Sequence, residues 1–370
     1  MKNLKYLLIV LSIIIIGSNN YMFSQSNPFF EQWNTPFETP PFSKIKNEHF
    51  LPAFEEAIKQ QRAELEQILN NNETPNFNNT IGALERSGKL LSKVSRVFFN
   101  LSSANSNEVI QKVAEKITPE LSKLNNDIYL NEKLYEKIKA VYDRKNSLNL
   151  NAEENKLLEE YYKDFTRAGI GLSEDKKNRL REINQQLSSL QLKFGENLRK
   201  ETNAIALVIE KEEDLIGLPE SVIKAASELA EASGLKGKWA FNLQRPSWTP
   251  FLQYSQKRNL REIVYKAYIN RGNNNNEFDN KEIIKKIIEL RIEKAKLLGY
   301  ETYAHYKLEK NMAKNPDNVI KFLNQLWVPA LKQAKQEVKE MQEIIDEEKG
   351  NFKLAAWDWW YYAEKLKKKK

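Results

Sequence analysis

The chain has 370 residues, 41% of them hydrophobic, which is enough for two or more packed units and excludes global disorder. It contains no cysteine, so disulfides, thiolate metal sites, a cysteine nucleophile and a lipidated cysteine anchor are all excluded. The net charge of +8 sits mostly at the two ends, at Lys2 and Lys5 and in lysines 367–370. The body is close to neutral, with its basic residues interleaved with Glu and Asp at helical spacing, and this argues against nucleic-acid binding.

Residues 1–25 read as a signal peptide. Lys2 and Lys5 precede the apolar run "YLLIVLSIIII", which is too short to span a bilayer, and cleavage is expected near Ser24 or Gln25. An uncleaved N-terminal anchor is the alternative. Either way the body is expected to be exported, to the periplasm, with no stable membrane span once the signal is removed.

Prolines 36, 40 and 41 argue against regular structure in the stretch that follows, and helix is expected from near His49 or Pro52. From Phe54 onward helical patterns succeed one another, separated by polar breaks at 70–79 and 102–108. Leu180, Ile183, Leu187, Leu190, Phe194 and Leu198 form one apolar stripe on a helix from Ser173 to about Lys200. "NAIALVIE" (203–210) and "KWAFNL" (238–243) bracket a helix and predict a small β element. "GIGLSEDK" (169–176) reads as a helix junction, and "GNNNNEFDN" (272–280) as a polar surface loop. A second long helix opens at Asn315 and Pro316. Val319, Leu323, Leu326, Ala330, Ala334, Val338, Met341 and Ile345 share one of its faces, Gly350 ends it, and a kink or break is expected before Pro329.

Chemistry is hard to find. The two histidines, His49 and His305, are far apart, and no H-E-x-x-H or inverted form occurs. They read as structural residues. G-x-S-x-G and phosphate-binding glycine loops are absent as well. No catalytic, cofactor-binding or metal-binding residue is assigned from the sequence.

Five longer motifs carry a resemblance. "TPFETPPFSKIKNEHFLPAFEEAI" (35–58), "LIGLPESVIKAA" (215–226), "SWTPFLQYSQKRNLREIVYKAYINRG" (247–272), "IIELRIEKAKLLGYETYAHYKLEKNMAKNPDNVIKFL" (287–323) and "WDWWYYAEKL" (357–366) occur in this order. Together the chain resembles the M3 family of zinc metallopeptidases, in the peptidyl-dipeptidase (dipeptidyl carboxypeptidase) branch near oligopeptidase A. The resemblance implies a mainly α, neurolysin-like helical clam-shell fold, here incomplete, with the small β element around 203–243. It divides the chain into a signal peptide at 1–25, an N-terminal helical lobe at 26–200 and the beginning of the peptidase domain at 201–370. It further implies an enzyme that uses Zn2+ to hydrolyse short unfolded peptides, with release of C-terminal dipeptides.

In that family the zinc helix lies C-terminal to the W-D-x-x-Y-Y stretch. None of its residues matches a position here, so this chain is expected to be inactive alone and to bind no zinc specifically. The partners of the five aromatics within 357–362 are accordingly expected to include residues outside the chain, and the lysines that follow are expected to mark an adenine run in the coding sequence at which the reading frame is cut short. The alternative is a non-catalytic helical module that binds peptides or a membrane surface. A weaker one is an unrecognised site around His305.

Overall fold

The computed structural model describes residues 27–369, so the expected leader lies outside the described residues. The expected predominance of helix is met. The chain divides into two compact units, Met1–Leu192 and Lys193–Lys370.

In the first unit, Pro36–Glu38 forms a single 3-10 turn within the proline-rich stretch. Proline is tolerated there because the first turn of a helix has no use for its N–H. The helices follow as α1 (Phe50–Asn70), α2 (Gly82–Arg86), α3 (Lys89–Ala104), α4 (Glu108–Tyr129), α5 (Glu132–Tyr142) and α6 (Ala152–Ala168). Helix α3 runs through Ser102 and Ser103, so the second polar break is shorter than its composition suggested.

Asparagine sets several helix starts. The side chain of Asn107 accepts from the amides of Val109 and Ile110, Asn131 accepts from Leu134, and Asn151 forms a capping box with Glu154. Each satisfies amides that the helix itself leaves free, at about 1 kcal/mol relative to alanine. Two cores result. Phe29, Phe50, Phe54 and Phe98 centre the first, with neighbouring ring centroids 5.1–5.4 Å apart. Leu124, Leu134, Ile138, Leu158 and Phe165 centre the second.

Helix α7 (Glu174–Asn203) bears out the Ser173 start, since the Ser173 carbonyl accepts from the Lys177 amide. Gly169, at φ 96°, closes α6 ahead of it and confirms the junction. Only the first half of the expected stripe is buried, at Leu180, Ile183 and Leu187. Beyond them the buried positions are Glu196, Asn197 and Glu201, so here the inward face is polar.

The second unit continues with β1 (Ile205–Ile209), α8 (Glu220–Ala232) and β2 (Trp239–Asn242). The strands pair antiparallel, Leu207 opposite Phe241 and Ile209 opposite Trp239. Gly217 (φ 90°) joins β1 to α8 because a Cβ there would lie 2.3 Å from the Tyr254 carbonyl oxygen. Then come α9 (Arg245–Tyr254), α10 (Arg258–Ile269), α11 (Lys281–Leu297), α12 (Tyr303–Leu308), α13 (Pro316–Glu347) and α14 (Trp359–Lys369).

Of the kink or break expected before Pro329 on α13, the break does not occur. The helix continues through Pro329 without ending, and its apolar stripe is buried only at its C-terminal end, at Met341, Ile344 and Ile345. Residues 320–330 are exposed without interruption. The periodicity was legible, but a stripe records a face that can be buried, not the partner that buries it.

Candidate functional site

The densest constellation in the second unit grows from two arginines one turn apart. Helix α9 ends at Tyr254 and α10 begins at Arg258, placing Arg258 and Arg261 on one face. Both reach Asp358, which is fully buried. Arg258 donates from Nε to both carboxylate oxygens at 3.1 Å and from Nη2 at 2.9 Å, and Arg261 donates from Nη2 at 2.8 Å. Arg261 is itself buried and also donates to the Ser255 carbonyl at 2.8 Å. Asp358 in turn accepts from the Ala355 amide, closing the turn Ala356–Asp358 from which α14 starts.

Aromatic faces sheathe these charges. The Arg258 guanidinium lies 4.2 Å from the Phe352 ring centroid and that of Arg261 4.2 Å from Tyr361, while Trp360 meets Trp248 edge to face at 5.6 Å. None of the five aromatics of 357–362 is among the exposed hydrophobic residues, and Tyr362 is buried against Met341, Ile344 and Ile345. Tyr362 thus finds its partners within this chain, while Trp357, Trp359, Trp360 and Tyr361 are half-buried, and the indole N–H of Trp357 meets no acceptor among the described residues. Lys367, Lys368 and Lys369 belong to α14, Lys369 pairing with Glu347 of α13 and the nearby Lys365 with Glu348.

A second polar centre surrounds Glu201 at the end of α7. Its carboxylate accepts from the Gly272 amide, from Asn274 at 2.9 Å and from Asn276 at 2.7 Å. Burial by itself pushes this carboxyl up, and the three donors more than reverse it, leaving it below the usual glutamate range. Asn280, also buried, links Asn197 at 3.0 Å to the Phe194 carbonyl at 3.1 Å. The segment 272–280 is thus a polar loop wound around a buried carboxylate, which its composition alone did not reveal. At its rim Lys281 donates to Asn273, Asn275 and Asp279, and that ammonium holds the Asp279 carboxyl down at about 2.

A groove of ≈ 1010 Å³ runs along the C-terminal part of α13, lined by Lys335, Gln342, Asp346, Phe352 and Leu354 among others. Gln342 fixes its far wall, donating to the Phe352 carbonyl at 3.1 Å and accepting from the Leu354 amide at 2.8 Å.

The histidines lie one in each unit, His49 in the 3-10 turn Asn47–His49 just ahead of α1 and His305 in the first turn of α12. His49 Nδ1 accepts from the Lys46 amide at 3.0 Å. His305 follows the capping Thr302, whose Oγ1 is 2.9 Å from its Nδ1, and its Nε2 is 3.6 Å from Glu301. Among the described residues no three His, Asp or Glu side chains come together to hold a metal ion. The residues present therefore do not fit a zinc ion, and no hydrolytic step is derived from them. What the arginine cluster does is hold α14 in place.

The sequence reading missed Arg258, Arg261 and Asp358 as a unit. The available signal was a lone acid set among five aromatics, a position that demands a buried cationic partner. The partners come from the third and fifth of the motifs singled out above, which the fold brings together.

Comparison with known proteins agrees with this frame. Residues 54–177 match the profile of the neurolysin/thimet oligopeptidase N-terminal domain, and residues 251–370 match that of peptidase family M3. The chain is 36% identical over 344 residues to dipeptidyl carboxypeptidase of Escherichia coli, covering 93% of this chain and 50% of that protein. It is 35% identical over 350 residues to oligopeptidase A of Haemophilus influenzae, again with 93% and 50% covered. Saccharolysin of Saccharomyces cerevisiae is 24% identical over 302 residues, covering 79% of this chain and 41% of the relative. The chain belongs to the M3 peptidase family, in the branch of oligopeptidase A and dipeptidyl carboxypeptidase. Its fold is the mainly helical, neurolysin-like one with a small two-stranded β element. The chain spans about half the length of the curated relatives it matches.

Proposed function

We propose that this chain is the first half of a zinc metallopeptidase that hydrolyses short unfolded peptides and releases C-terminal dipeptides. The observation that carries the reading is the 36% identity to a dipeptidyl carboxypeptidase, sustained over 93% of the chain. The zinc-binding residues and the catalytic base would come from the half of the relatives that this chain does not span. The chain would supply helical scaffold, with the Arg258–Arg261–Asp358 cluster fixing the last helix. The basic, apolar opening of residues 1–25 supports export, and the N-terminal sequence of the secreted protein would test it.

A fusion tests the function. Joined to the half of Escherichia coli dipeptidyl carboxypeptidase outside the alignment, the chain is expected to release a dipeptide from the C-terminus of a blocked hexapeptide, and a chelator should abolish this. The chain alone should release nothing. A folded fusion without hydrolysis would overturn the assignment, and internal fragments in place of dipeptides would move it to the endopeptidase type.

Among the described residues no helix is long and apolar enough to cross a membrane.

A further inference from the structure

The first part of α13 has no cover. Ile320, Phe322, Leu323, Leu326, Trp327 and Val328 are 50–71% exposed, and every residue from 320 to 330 is exposed. Farther along the same helix Met341, Ile344 and Ile345 are buried, so one continuous helix passes from a packed to an unpacked state.

The distribution of these side chains around the helix limits what can cover them. At about 100° per residue, Ile320, Val328, Phe322, Leu326, Leu323 and Trp327 spread over roughly two-thirds of the circumference. Lys321, Gln325 and Lys332 occupy the remaining third. A membrane surface or a single bound peptide helix covers one face. A helix that is apolar over most of its girth belongs between other elements. Pro329 points the same way, because an interior proline weakens a helix and a bare helical stretch as short as 320–330 is already marginal in water.

The length comparison supplies an occupant. The relatives extend over about twice the length of this chain, and their second half is the only large partner the comparisons imply. We propose that residues 320–330 form a docking helix inserted between elements of the second, zinc-bearing half of the peptidase. This rests on the reading of the chain as the first half of such an enzyme.

Hydrogen exchange on the fusion described above, measured beside the 370-residue chain, tests it. Amides of 320–328 are expected to exchange at least 100-fold more slowly in the fusion than in the chain alone. Leu323→Asp with Trp327→Asp should erase that protection, and circular dichroism of the doubly substituted 370-residue chain should stay unchanged because both side chains are exposed in it. Equal exchange in the two proteins would overturn the proposal. So would a concentration-dependent dimer of the 370-residue chain that the double substitution dissolves, which would make a second copy the occupant. Protection in a fusion that hydrolyses nothing would leave the docking helix standing and remove the peptidase reading, whereas hydrolysis without protection would do the reverse.

Discussion

Asp358 carries the largest single consequence in the described chain. Three hydrogen bonds from Arg258 and one from Arg261 converge on a carboxylate without solvent contact, with Arg261 buried beside it and Arg258 about one-third exposed. Replacing such a pair by apolar groups is often tolerated, but removing one member strands the others. Asp358→Asn should therefore destabilise the second unit by about 3–5 kcal/mol, read as a lower urea midpoint at unchanged slope. A loss below about 1 kcal/mol would show that the arginines find other partners.

Lys294 makes a second test. Burial, helped by the charge of Lys307, lowers its amine from 10.5 to about 8, and the ammonium lies 5.6 Å from the Tyr306 ring centroid. Below pH 8 the lysine is charged in both folded and unfolded states and its burial penalty is fully present. Between 8 and 10.5 the unfolded state holds the proton that the folded state has lost, so stability should rise with pH across that window, by roughly 3 kcal/mol. Lys294→Met should flatten the rise, measured by urea unfolding at a series of pH values.

Elements were legible in proportion to how local their causes are. The N-cap at Asn315, the αL glycine at 169 and the β-branched run at 205–209 act within a few residues, and each appears where the sequence placed it. The Glu201 loop was not legible, because its organising carboxylate lies 71 residues upstream of Gly272. Nor was the arginine cluster, for the same reason. Helix α13 shows a further limit, since its period was readable while the absence of cover was not.

Pro329 gives that helix a test of its own. Proline removes one donor and clashes with the preceding turn. Pro329→Ala should slow amide exchange across 320–328 several-fold while the global unfolding free energy from urea titration stays within about 0.5 kcal/mol, since an uncovered segment opens without unfolding the rest. A matching rise in global stability would mean that the segment is coupled to the core after all.

At the scale of the whole molecule, the two units hold their cores by different means. The first relies on phenylalanine clusters and asparagine caps, and the second adds to an apolar core around Phe241, Phe251 and Val264 a buried carboxylate whose arginine partners lie against aromatic rings. Family membership follows from sequence identity, while among the described residues no three His, Asp or Glu side chains come together to hold a metal ion.

The spacing of the arginine cluster also bears on the order in which the protein is made. Asp358 follows Arg258 by 100 residues and Arg261 by 97. At about 5–20 residues per second, a ribosome delivers both guanidiniums roughly 5–20 s before the carboxylate that neutralises them. During that interval Trp248 is also without the Trp360 edge that it meets in the finished fold. The nascent second unit must therefore stay open or be shielded until residues 358–360 emerge. A stalled or prematurely released chain ending before residue 358 would expose cationic and aromatic surface together, and it should be the species that chaperones retain.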